Sequence, residues 1–150
     1  MNLSHSRSIR PLAIALCIAV SGCVHVLSPY DKMADKKLST AAEALLDLQA
    51  ETQLAPQPLV NSEALQARGV ELRTGIRVAR NMYEGSYGSS VNEGHRQLIV
   101  STIDACDNAV RSFFEVLARE GSISDPATDL MLTNAHATCL TATERVQDGK

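Results

Sequence analysis

From Ser28 onward, apolar residues recur at alternating steps of four and three in four successive stretches. The first seam is Ala34, Leu38, Ala41, Leu45 and Leu48. The second is Leu65, Gly69, Leu72, Ile76, Ala79 and Tyr83, and the third is Ile99, Ile103, Cys106, Val110, Phe113 and Leu117. The fourth, Thr128, Leu132, Ala135, Cys139, Ala142 and Val146, is smaller and partly polar. Such spacing gathers each set on one stripe of an α-helix, whereas a strand would scatter it over both faces. No period-2 pattern competes.

Turn chemistry separates the stretches. Ser28 with Pro29 behind it reads as an N-cap and first helical residue. Ala55-Pro56-Gln57-Pro58 cannot continue a helix, and Asn61-Ser62 caps the next one. Gly85-Ser86-Tyr87-Gly88-Ser89-Ser90 breaks the second stretch. Ser90 and Glu93 have capping-box spacing, with Asn92 a competing cap. Gly121 stops the third helix, and Ser124-Asp125-Pro126 starts the fourth. Four long helices with short connections predict an all-α, antiparallel, up-down-up-down bundle over residues 29–150. The weak fourth seam leaves two arrangements open: a helix that completes the bundle, or one packed outside a three-helix core.

Composition narrows what such a bundle does. The 150 residues include two Phe, three Tyr and no Trp. The chain therefore lacks the stacking platforms of single-stranded nucleic-acid binding. Its formal charge of −3 argues against general binding of polyanions, so no nucleic-acid partner is expected.

The first residues read as an export signal. Arg7 and Arg10 precede the ten-residue apolar run from Pro11 to Val20, which as a helix rises ~15 Å, half of a bilayer core. Val20-Ser21-Gly22-Cys23 resembles the lipobox of bacterial lipoproteins. That resemblance implies cleavage before Cys23, with residues 1–22 as signal peptide. It also implies a diacylglyceryl group on the Cys23 thiol and an acyl group, such as palmitate, on its new amino group. Two or more chains anchor stably where one is marginal. Residue 24 is Val where inner-membrane lipoproteins tend to carry Asp, so the resemblance implies an outer-membrane anchor facing the periplasm. Without the signal, twelve basic residues stand against seventeen acidic ones, a formal charge of −5. Residues 23–28 would be the lipidated Cys and a short linker, and the acyl chains would do the anchoring. Ser28-Pro29-Tyr30-Asp31 with Asp35 is similar to the S-x-Y-D-x-x-x-D opening of small helical bacterial lipoproteins; the similarity covers about a dozen residues and brings no activity with it.

Cys17 leaves with the signal and Cys23 carries lipid, which leaves Cys106 and Cys139. Each lies on the seam of its own helix, and the Gly121–Asp125 turn lies midway between them in sequence. In an antiparallel hairpin the two therefore face each other. Helix axes ~8–10 Å apart, less two Cα radii of ~2.3 Å, leave ~3.4–5.4 Å between the Cα atoms. That overlaps disulfide geometry, and Ala105, Ala109, Ala135 and Ala142 permit the close approach. In an oxidising compartment the expectation is a structural Cys106–Cys139 disulfide.

The remaining constellations are sparse. His25, His95 and His136 form no metal-ligand pattern beyond His136 three residues before Cys139, so no metal site is expected. Arg73, Arg77 and Arg80, with Arg68 one turn earlier, form a basic stripe. It is either an interaction surface for an acidic partner or a solvated face balanced by Glu43, Asp47 and Glu51. The Gly85–Ser90 loop lacks a G-x-S-x-G elbow or a P-loop lysine, and no triad is apparent, so the chain is read as no enzyme and without a cofactor other than its lipid. The reading is a lipid-anchored helical module for structure or protein interaction, with an envelope protein as partner. The alternative is a periplasmic carrier holding a small molecule between helices near Tyr83, Tyr87 and Phe113.

Overall fold

The computed structural model describes residues 29–55, 57, 59–86 and 93–148, without the side chains of residues 29–31 and 86. The signal sequence, Cys23, the Ser28 cap, Tyr87 and the Ser90 cap lie outside the described residues. Among the described residues four helices follow one another: α1 (Pro29–Leu54), α2 (Glu63–Ser86), α3 (Glu93–Glu120) and α4 (Pro126–Asp148). Around the bundle, α1 packs on α2 and α4, and α3 packs on α2 and α4, while the diagonal pairs keep their backbones apart. The fourth helix thus completes a four-helix bundle, which resolves the two arrangements left open by its weak seam.

The seams form the core. Every residue of the first, third and fourth seams is buried, as are Leu65, Gly69, Ile76, Ala79 and Tyr83 of the second. Leu72 alone is half-buried, packed against the core. The antiparallel register is visible in two side-chain bonds between α1 and α4. Gln49 Nε2 donates to Thr133 Oγ1 at 3.2 Å, and Gln147 Nε2 donates to Asp35 Oδ1 at 2.8 Å. Fourteen residues back along α1 from Gln49 correspond to fourteen forward along α4 from Thr133.

The caps follow the turn residues. The Leu65 amide donates to Ser62 Oγ at 3.2 Å and the Ala127 amide to Asp125 Oδ1 at 2.9 Å, the N-cap pattern for α2 and α4. At the end of α3, Gly121 has φ 81°, and its amide donates to the Leu117 carbonyl at 2.8 Å. That left-handed turn is open to glycine without steric cost. The Gly121 carbonyl then accepts from the Asn61 amide at 2.9 Å, and the Ile123 amide donates to the Leu59 carbonyl at 2.9 Å. These two bonds form an isolated antiparallel bridge, Val60 with Ser122, that stitches the α1–α2 connection to the α3–α4 turn. Ile123, 1% exposed, plugs the bundle beneath it.

Candidate functional site

The two cysteines on facing seams are joined. Cys106 and Cys139 form a disulfide between α3 and α4 with Cα atoms 4.6 Å apart, inside the interval that helix packing predicts. Both are fully buried, and the flanking seam residues Ala135 and Ala142 are buried with them. Cys139 sulfur is committed to that bond, so it offers no thiolate to the half-buried His136. Among the described residues, no group of three or more His, Cys, Asp and Glu is placed to hold a metal ion.

The arginine stripe is a seam between helices. Arg73 donates to Asp107 through Nε at 2.9 Å and through a terminal nitrogen at 3.2 Å, and Arg77 Nε reaches the same carboxylate at 3.3 Å. Arg80 donates to Asp104 Oδ1 and to Glu84 Oε2, both at 2.6 Å. The balancing acids for these three therefore lie chiefly on α3, where sequence reading pointed to α1. Only Arg68 turns to α1, pairing with Glu51 at 3.0 Å. Helix geometry explains the split: Arg68 and Arg73 are five residues apart, about 140° around α2, and so flank its buried stripe on opposite sides. The signal that could have found the partners is Asp104 and Asp107 on one flank of α3, three residues apart, beside an arginine-rich helix.

Electrostatics follow these contacts. Burial pushes the Asp107 carboxyl up, but the Arg73 hydrogen bonds and the charges of Arg73 and Arg77 outweigh it and hold Asp107 below its usual range. The Asp104 hydrogen bond, reinforced by Glu84, raises Arg80. On the exposed start of α3, hydrogen bonds from Arg96 and Gln97 lower Glu93. All of these shifts belong to ion pairs that close charge within the molecule.

Tyr83 and Phe113 are fully buried core residues. Space accessible from outside occurs as grooves between neighbouring helices, such as one of about 200 Å³ between α1 and α2 lined by Lys37, Thr40, Arg68, Glu71, Leu72 and Gly75. No described helix is long and apolar enough to cross a membrane. These features define an antiparallel four-helix bundle with an inter-helix disulfide. No family model, no curated protein and no solved structure matches the chain.

Proposed function

We propose that this chain is a lipid-anchored envelope protein whose bundle serves as a structural or protein-interaction module, held at the outer membrane and facing the periplasm. The observation that carries the reading is Val20-Ser21-Gly22-Cys23 so close to the bundle: Cys23 lies six positions before Pro29, where α1 begins. A stretched chain of that length reaches roughly 20 Å, so the acylated cysteine would keep the folded body near the lipid. The start of α1, the end of α2, the start of α3 and the end of α4 would then face the membrane. The bridged end at Val60 and Ser122 would face away from it.

The interior supports action on the outside. Side chains of all four helices fill it, and the buried disulfide is part of its packing. The arginines at the α2–α3 seam, Arg73, Arg77 and Arg80, are engaged by this chain's own carboxylates, which favours a partner that reads shape and apolar contact over one that needs free cations. The reading is non-enzymatic, with an envelope protein as partner and acyl groups on Cys23 as the only covalent additions.

Photo-crosslinking in cells, from exposed positions on each helix in turn, tests the reading. A discrete adduct with one envelope protein, confined to neighbouring positions, is expected. Absence of adducts from every helix, combined with a ligand-dependent rise in melting temperature, would replace it with the carrier reading.

A further inference from the structure

Arginine and lysine play separate parts in this chain. Of the eight arginines among the described residues, seven pair with carboxylates, namely Arg68, Arg73, Arg77, Arg80, Arg96, Arg111 and Arg119, and Arg145 does not. The lysines do not follow them. Lys32, Lys36 and Lys37 are all exposed, and among the described residues none of them forms an ion pair. All three fall in the first nine residues of α1, and residues 38–149 contain no lysine. Lys150 lies outside the described residues.

Their placement has an apolar companion and a boundary. Met33, 48% exposed, sits among them. Lys37 lines the groove toward α2. Glu71 of α2 lines the same groove without forming an ion pair with Lys37, and beyond it that helix has no acid before Glu84, which is taken by Arg80. On the α4 side, Asp35 accepts from Gln147, and Glu144, Arg145 and Asp148 are exposed. Further along α1, Glu43 follows Lys36 by seven residues and Asp47 follows Glu43 by four, which places them on the same outward face as Lys32 and Lys36. That face is therefore basic over its first third and acidic beyond it.

We propose that Lys32, Lys36 and Lys37, with Met33 between them, dock the anchor end of the bundle on anionic phospholipid headgroups, while Glu43 and Asp47 keep the rest of α1 off the surface. The proposal rests on anchoring at Cys23, which decides which end of the bundle meets the membrane. Lysines near an anionic surface each strengthen attachment by roughly fivefold, and the attraction fades within a Debye length of about 8–10 Å. Long lysine side chains reach such a surface while their stems cover apolar area. The net acidity of the domain is thus unevenly spread, and the end nearest the lipid carries the cations that no carboxylate occupies.

The full-length acylated protein, reconstituted in phosphatidylcholine vesicles with or without phosphatidylglycerol, tests this by amine acetylation read residue by residue in a mass spectrometer. Lys32, Lys36 and Lys37 should react several-fold more slowly on the phosphatidylglycerol vesicles at low salt, and the protection should vanish in about 1 M salt, where the Debye length is ~3 Å. Equal rates on both vesicles would overturn the proposal. Flotation with the phosphatidylcholine vesicles reports the anchor separately. Protein that floats yet reacts equally on both overturns the patch alone, and protein that does not float overturns the anchor and the patch with it.

Discussion

The ring of Phe114 occupies the space into which a side chain on Gly69 would grow: a Cβ built there lies 2.8 Å from the ring's Cγ. Phe114 is 6% exposed and meets Phe113 edge-on, with centroids 4.7 Å apart, so the α2–α3 contact is set by a ring laid on bare backbone. Cγ is the root of the ring, so relief requires moving the whole side chain. Gly69→Ala should destabilise by roughly 1–2 kcal/mol, the cost of overpacking exceeding the gain in helix propensity. Gly75, with nothing within 4 Å of its built Cβ, is the control. Gly75→Ala should stabilise by about 0.5–1 kcal/mol, and opposite movements of the two urea midpoints check the pair.

The disulfide closes a loop spanning 33 residues of sequence separation. Loop entropy assigns such a crosslink about 3–4 kcal/mol. The double variant Cys106→Ala/Cys139→Ala should lose an amount of that order in denaturant titration. Alkylation of unreduced, denatured protein should leave both cysteines unmodified, and alkylation of both would contradict the bond.

Thr128 is fully buried in the first turn of α4, and its hydroxyl has no hydrogen-bond partner among the described residues. A buried hydroxyl without a partner costs free energy that an apolar group of the same shape does not. Thr128→Val should raise stability by about 1 kcal/mol and melting temperature by a few degrees, read by calorimetry. A lowered melting temperature would show that the hydroxyl is satisfied.

Asp107 sets an acid limit. Its carboxyl is held below the ordinary value of 3.8, so its contribution is in place above that pH and is lost as pH falls through the lowered native value. Asp107→Asn should therefore cost stability at neutral pH and flatten the acid limb of the stability–pH curve. An unchanged limb would mean that Arg73 and Arg77 do not hold the charged form.

Much of the fold is legible in the sequence because the bundle buries what a strict four-three spacing selects. The Cys106–Cys139 pairing is legible for a related reason, since a short hairpin turn fixes which residues of two helices face each other. Four buried residues escaped that spacing: Ala42, Phe114, Ile123 and Thr143. Ala42, Phe114 and Thr143 each follow a seam residue and widen the buried stripe, which a two-in-seven seam does not anticipate. Ile123 belongs to a turn, and its burial depends on the bridge between two connections distant in sequence. The arginine partners escaped because carboxylates on both neighbouring helices had suitable spacing, and the flank of α2 each arginine occupies decides between them.

The central claim is that Cys23 carries lipid and holds this bundle at a membrane. Feeding cells a labelled fatty acid and recovering the protein tests it most directly. The account predicts label on the wild-type chain, membrane-bound, and no label on Cys23→Ser. Unlabelled wild-type protein, or equal labelling after Cys23→Ser, would contradict it.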